Sequence, residues 1–420
     1  MPPICEVTRG LISLEGALER LKAELLTAPR SEKIPLDALI GRRCSGAVIS
    51  PMDFPPFSNA AMDGYALRSE DALPGARLTL TGVIPAGSVA ACDLAPGECA
   101  RILTGARMPL GADTVVVQEK VRKEEGAIVL LISEPLPMGA NVRLRGEEIQ
   151  RGDPLLSQGR RIGPYEAGVL AYAGFSELEV LPRLRVGVLA TGSELVLPGQ
   201  RLEAGQIYES NRPVLLGLLQ ECGQIGIDLG FVGDDLERLK EQIRLASPGL
   251  DALVTTGGAS EGDADHMANL LKEEGEVAFW KVAIKPGKPF MFGRYDGMPV
   301  FGLPGNPVSA VTTFLKLVQP GLRFLSGDVS DQRSRLFFPL AEPIRRQPGR
   351  TEFLRAELIS GAFGPEVLAL RQQGSHRLTS LSEADCLIRL APEISSLSKG
   401  ECVEVEFLPG AARIPGEGRG

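Results

Sequence analysis

Histidine is nearly absent from this chain of 420 residues, which carries only His266 and His376. Its seven cysteines (Cys5, Cys44, Cys92, Cys99, Cys222, Cys386 and Cys402) are scattered, with no C-x-x-C pair. Both shortages argue against a zinc site, and an odd, unpatterned cysteine set reads as reduced thiols in a cytosolic protein. Positive charge is also in short supply: 45 Lys and Arg face 53 Asp and Glu, a net charge of −8. Neither nucleic acid nor an anionic membrane surface is therefore an expected partner, and an anionic substrate would need a local cluster of cations. No apolar run approaches the roughly 20 residues that span a bilayer. The start Met1-Pro-Pro-Ile-Cys-Glu6 lacks the basic and apolar regions of a signal peptide, so a cytoplasmic location is expected.

The length suggests about two to four domains. Leu14 to Leu26 has helical apolar spacing, and Pro29 stops it. From Ile49 to about Gly152, short β-rich runs such as Leu78-Thr-Leu-Thr-Gly-Val-Ile84 and Thr114-Val-Val-Val-Gln118 are broken by Pro and Gly, the texture of a compact β domain. From Arg185 onward, strands and helices alternate. Val186 to Ala190, Ile225 to Val232 and Ala252 to Thr256 read as strands; Arg212 to Cys222, Asp235 to Ala246, His266 to Glu274 and, last, Pro307 to Leu325 read as helices. That alternation predicts a three-layer α/β domain with a mostly parallel sheet. After Gly327 the pattern returns to strands, ending on the alternating Cys402-Val-Glu-Val-Glu-Phe407.

Chemistry is concentrated in loops. Lys281-Val-Ala-Ile-Lys285-Pro-Gly-Lys288-Pro289 sets three lysines around a Pro-Gly kink, and Pro304-Gly-Asn306-Pro307-Val-Ser309 leads into a helix. Pro307 in the first turn leaves N–H groups and a partial positive charge directed at the loop, which with the lysines makes an anion site for phosphate or an oxyanion. The plainer alternative is that the lysines are solvated surface charges. Ala190-Thr-Gly192-Ser193-Glu194 and Thr255-Thr-Gly257-Gly258-Ala-Ser260-Glu-Gly-Asp263-Ala-Asp265 follow strands, so with the lysine loop they are expected to face one crevice. Asp263 and Asp265 could hold a cation such as Mg²⁺ or cap the helix near His266. Met62-Asp63-Gly64-Tyr65 reads locally as a turn. Asn141-Val-Arg143-Leu-Arg145-Gly-Glu147-Glu148 places two arginines beside two acids and reads locally as a surface ion-pair strip.

Taken in order, Ser58 to Ala66, Leu103 to Ala106, Arg143 to Glu147, Thr191 to Leu195, Asn211-Arg212, Thr256 to Asp265, Lys281 to Pro289, Pro304 to Ser309 and Gln373 to His376 resemble the molybdopterin molybdenumtransferase family, which includes the catalytic domain of gephyrin. The resemblance spans about Leu11 to Phe407. It implies an α/β molybdopterin-binding domain over 11–30 and 184–330, a linking and dimerisation domain over 31–49 and 153–183, a β-rich domain over 50–152 and a C-terminal β-barrel-like domain over 331–420. It implies Mg²⁺-dependent cleavage of adenylyl-molybdopterin, insertion of molybdate into the dithiolene, and release of AMP. It also implies a homodimer whose cleft joins the α/β domain of one subunit to the β domain of the other, with molybdopterin adenylyltransferase and apo-molybdoenzymes as transient partners.

Carried over residue by residue, the resemblance puts Asp63, Thr104, Glu194, Asp234, Asp265, Lys281 and Lys285 at catalytic positions, with Glu194, Asp234 and Asp265 as Mg²⁺ ligands and Lys281 and Lys285 on phosphates. Arg143, Gly257 and Gly258 fall at binding positions. The molybdate pocket maps to Ser260, Lys288, Pro289, Ser309, Arg350 and Ser375. Two positions depart from the family pattern: Glu148 and Ser193 stand where relatives often have Asp, and Ser193 removes a carboxylate beside Glu194. The sequence alone leaves two other readings: a related adenylyltransferase-like enzyme sharing the α/β domain, or a non-catalytic scaffold of the gephyrin kind.

Overall fold

The computed structural model describes residues 10–26, 30–88, 93–257, 266–328 and 335–410. The chain divides into two compact units, Met1–Glu32 with Val180–Gly420, and Lys33–Glu179.

In the first unit, helix α1 (Leu14–Leu25) starts where the Ser13 hydroxyl accepts the Gly16 N–H at 3.0 Å, satisfying one of the donors that a first turn leaves free. Leu14, Ala17, Leu21 and Leu25 are buried, a single stripe at helical spacing. A six-stranded sheet comprises β1 (Arg185–Thr191), β2 (Ile225–Val232), β3 (Ala252–Thr256), β4 (Gly275–Trp280), β5 (Met291–Tyr295) and β6 (Met298–Leu303), in the order β2-β1-β3-β6-β5-β4. β2, β1, β3 and β6 pair in parallel, whereas β5 is antiparallel to both β6 and β4. The antiparallel edge follows from Asp296-Gly297, both at positive φ (49° and 77°), which joins β5 to β6 as a two-residue hairpin.

Helices α2 (Asn211–Glu221), α3 (Leu236–Ala246) and α4 (His266–Glu274) lie between strands. Val186 and Val188 pack in one core with Leu215 and Leu219 of α2 and the α1 stripe, while Leu189 and Leu253 pack in another with Leu239, Ile243 and Met267. Side chains alternate across a strand, so both faces of the sheet are covered and the layers number three.

The helix expected over Pro307 to Leu325 is interrupted. α5 (Pro307–Thr313) passes through a π turn, Phe314–Val318, into α6 (Gln319–Leu325). Pro320 has no N–H to return to the carbonyl four residues back, and the turn before it widens. Beyond the α/β region a further short helix forms at Thr379–Glu383.

The rest of this unit is β: β7 (Leu336–Pro339), β8 (Thr351–Gly361), β9 (Gly364–Ala369), β10 (Cys386–Leu390) and β11 (Cys402–Phe407). The order is Ile284–Lys285, β8, β10, β11, β7, with β9 also on β8. A bridge between Leu340 and Val367 draws the β7 end toward β9, giving the sheet its barrel-like closure. Residues of the lysine loop thus form a strand of the C-terminal sheet, with Ile284 and Lys285 parallel to Thr351 and Glu352.

In the second unit, a six-stranded sheet orders Thr114–Val117, Gly64–Leu67, Glu98–Ile102, Arg77–Ile84, Ala127–Leu130 and Val121–Glu124. Tyr65, Leu67 and Val116 pack on one face, Ala66, Ala100 and Val115 on the other. A helix at Pro164–Tyr172 stacks Tyr172 against Phe54, with ring centroids 4.6 Å apart.

Candidate functional site

The lysine loop closes on itself where the Val282 N–H donates to the Lys288 carbonyl at 3.0 Å. Gly287, at φ 117°, turns the chain inside it, and a Cβ there would stand 2.5 Å from Thr313 Cγ2. The loop borders a cavity of about 290 Å³ whose walls include Lys285, Lys288, Pro289, Ser309, Arg350 and Ser375. Elements far apart in sequence meet here because β8 pairs with Ile284–Lys285 and because the Ser375 carbonyl accepts the Val308 N–H at 3.1 Å. That last bond takes up one of the N–H groups expected to be open at the start of α5: Pro307 has none, and the Val308 N–H is given to Ser375.

The cations of this cavity are held in different ways. Arg350 donates to the Ile284 carbonyl at 3.3 Å, and burial pulls its pKa down from the ordinary value. Lys285 Nζ lies 2.8 Å from Glu352 Oε1. Glu352 is a cavity residue that the sequence reading missed. It stands two positions beyond Arg350 at the start of β8, and an acid entering an apolar strand on the same face as a site arginine is the signal that could have found it. Lys281 lies elsewhere, with its Nζ 5.3 Å from the Trp280 ring centroid; the structure groups Lys285 with Lys288 and leaves Lys281 outside their cavity.

The strand-end loops adjoin the turn that forms another wall of the cavity. Asn211 Nδ2 donates to Thr256 Oγ1 and to the Gly305 carbonyl, each at 2.8 Å, and Thr256 Oγ1 donates to the Pro304 carbonyl at 3.2 Å. Gly257, at φ 84°, passes so close to β1 that a Cβ would sit 2.1 Å from the Thr191 carbonyl oxygen. Pro304 and Asn306 line the cavity. Glu194 and Asp234 are both exposed, on neighbouring loops tied together by the Asp234 N–H donating to Ser193 Oγ at 2.8 Å. Ser193, the departure from the family pattern, is thus the hydroxyl that joins those loops. Gly258, Ser260, Asp263 and Asp265 lie outside the described residues. Among the described residues, no three His, Cys, Asp or Glu side chains come together to hold a metal ion, and no helix is long and apolar enough to cross a membrane.

In the second unit, one oxygen of Asp63 accepts both the N–H and the hydroxyl of Thr104, and these bonds lower the Asp63 pKa below 3.8. Arg143 is exposed and pairs through its backbone with Asn59, next to Ala60, which exchanges backbone bonds with Gly105 and Ala106. Asp63, Thr104 and Arg143 therefore gather around one short strand. Arg145 does not join a strip with Glu147 and Glu148; it pairs with Asp53 at 2.6 Å, while Glu147 accepts the Leu144 N–H of its own turn.

Three family models match in succession: the MoeA N-terminal region (domain I and II) over residues 12–174, the probable molybdopterin binding domain over 187–323, and the MoeA C-terminal region (domain IV) over 338–408. The molybdopterin molybdenumtransferase of Haemophilus influenzae is 36% identical over 398 residues, 94% of this chain and 98% of its own length. The chain belongs to the molybdopterin molybdenumtransferase family. It is a transferase with a role in molybdenum cofactor biosynthesis. The family member from Synechococcus elongatus is also 36% identical, over 95% of this chain and 100% of its own. Two solved structures of the molybdopterin biosynthesis MoeA protein from Pyrococcus horikoshii each align with a TM-score of 0.80, at 35% and 28% identity. They cover 94% and 95% of this chain, and 99% and 100% of their own.

Proposed function

We propose that this chain carries out molybdenum insertion: Mg²⁺-dependent hydrolysis of adenylyl-molybdopterin, release of AMP, and transfer of molybdate into the dithiolene. The observation that supports this most is the cavity where Lys285, Lys288 and Arg350 converge with the hydroxyl-bearing Ser309 and Ser375. Cations and short donors around a small concave space suit a tetrahedral dianion. In the hydrolysis, water adds to a phosphorus of the pyrophosphate linkage and the bridging P–O bond breaks, its electron pair staying on the departing phosphate. In the insertion, two Mo–S bonds form, one oxo oxygen leaves as water with the two thiol protons, and molybdenum keeps its oxidation state.

Glu194 and Asp234 offer carboxylate oxygens on loops joined through Ser193, a donor set suited to a hard cation that keeps water and substrate oxygens as its other ligands. Asp265 is assigned to the same set by resemblance. When bound, Mg²⁺ neutralises charge on the phosphates. Lys281 and Arg143 are assigned to the substrate's anionic groups, and the strand-end loop with Gly257, Gly258 and Ser260 to close backbone approach and a hydroxyl donor. A homodimer in which the Asp63–Thr104 pair of one copy serves the other belongs to the proposal, as do a cytoplasmic location and transient contacts with an adenylyltransferase and apo-molybdoenzymes.

The purified chain with Mg²⁺ and molybdate is expected to release AMP from adenylyl-molybdopterin and to yield a pterin that activates a molybdenum apo-enzyme. Lys288→Met is expected to raise KM for molybdate by about tenfold or more, the scale of one close charge contact. ATP-dependent adenylylation without molybdate would replace this reading with that of an adenylyltransferase. Unchanged insertion in the Lys288 variant would remove the cavity from the mechanism.

A further inference from the structure

Glu352 is the one acid among the described residues lining the oxyanion cavity, and an acid there opposes the binding of a dianion. It is 5% exposed, and both its oxygens are engaged: Oε1 by Lys285 Nζ at 2.8 Å, Oε2 by Arg346 Nη1 at 3.0 Å. The two cations differ in kind. Only 6% of the Arg346 side chain is exposed, and it also donates to the carbonyls of Arg350, Ile394, Ala391 and Pro392, so it is fixed and cannot turn to a ligand. Lys285 keeps 55% of its side chain exposed, and its ammonium has three donors to direct. Arg346 therefore anchors the carboxylate, and the carboxylate in turn holds the ammonium at the cavity wall.

We propose that Glu352 is a positioning residue that holds Lys285 at the cavity, shares it with the bound oxyanion, and so limits how tightly the site grips molybdate. The proposal rests on the cavity being the molybdate site. A site that must hand its cargo to a dithiolene gains nothing from full-strength ground-state binding, because affinity that is equal in ground and transition states lowers KM without raising kcat. The carboxylate weakens the ground-state complex by competing for one of the three cations. Its charge also acts on Arg350, where it partly offsets the effect of burial.

The test is calorimetric titration of sodium molybdate into the full chain, paired with insertion kinetics on adenylyl-molybdopterin. Glu352→Gln is expected to bind molybdate about tenfold more tightly, as befits removal of one competing charge, with KM for molybdate and kcat both falling. A merely structural role would instead weaken binding. Glu352→Asp keeps a charge against Arg346 but draws the carboxylate back from Lys285 by one methylene, and its affinity is expected between wild type and the Gln variant. If Glu352→Gln does not fold, the Asp variant decides alone: tighter binding supports the proposal, and equal or weaker binding overturns it. Lys288→Met in the same titration separates the two ideas. Loss of molybdate binding there, with no tightening in the Glu352 variants, sinks this inference alone. No molybdate binding by wild type, or none that depends on Lys288, sinks the cavity reading with it.

Discussion

A single carboxylate oxygen of Asp63 accepts both hydrogen bonds that Thr104 offers, from its N–H at 2.8 Å and its hydroxyl at 2.6 Å. Donors aimed at the charged form favour it, and the Asp63 pKa is accordingly lowered, with the hydroxyl bond as the leading cause. Thr104→Val keeps the N–H and the shape but removes the hydroxyl. The Asp63 carboxyl is expected to titrate closer to 3.8 in that variant, as followed by carbon NMR of the side chain. The sign is fixed by linkage. A depressed carboxyl contributes stability above its unfolded pKa and loses it as pH falls through the folded one, so the variant gives up its share in neutral solution and little in strong acid. An unchanged titration would mean the hydroxyl bond does not hold the carboxylate.

Much of the α/β unit is legible in the sequence because its elements carry their own signals. Ile225–Val232 is bounded as read, since Gly223 ends one helix and Asp235 caps the next by accepting the Arg238 N–H. What the sequence hides depends on partners distant in the chain. Two residues, Ile284 and Lys285, have no strand signature of their own; they are a strand only because Thr351 and Glu352 lie alongside. The same pairing carries Glu352 into the cavity, which is why the lysines were visible beforehand and their carboxylate was not. The helix at Pro164–Tyr172 was missed for a different reason: only Leu170 of its residues is buried, so it shows no apolar stripe to read. Asn211 lay inside a recognised segment, but its two bonds to Thr256 and Gly305 are a property of the start of α2 meeting the ends of β3 and β6.

Two glycines of the same unit are expected to respond to alanine in opposite ways. At Gly257 the backbone is left-handed and a Cβ would meet the Thr191 carbonyl at 2.1 Å. Holding a non-glycine residue in such a conformation costs roughly 1–3 kcal/mol before any clash is counted, and the clash falls on main chain that cannot swing away. Gly257→Ala should therefore melt earlier than wild type and lose insertion activity, because β1 and β3 must part beside the 304–306 turn. Gly217 sits inside α2 with nothing within 4 Å of its missing Cβ, and alanine there should stabilise the helix by about 0.5–1 kcal/mol. Melting curves of the two variants check both signs, and a neutral Gly257→Ala would show that β1 and β3 can part at little cost.

The described thiols divide by burial in a way that alkylation can read. Burial pushes Cys44 up to about 11, and Cys99 and Cys386 up to about 12, from an ordinary value of 9.0, whereas Cys402 is exposed. The thiolate is the reactive form, so iodoacetamide at about pH 8 should label Cys402 in the folded protein and leave the other three until denaturant is added, as peptide mapping would show. The raised values also set an alkaline limit: each buried thiol contributes stability that is whole below its unfolded pKa and is lost as pH climbs toward the folded one. Melting temperature should thus fall between about pH 9 and 12, and less steeply in Cys386→Ala, whose side chain cannot ionise. Labelling of Cys386 in the native protein at the rate of Cys402 would contradict the burial of β10 against β8 and β11, and with it the closure that brings Thr351 and Glu352 to the lysine loop.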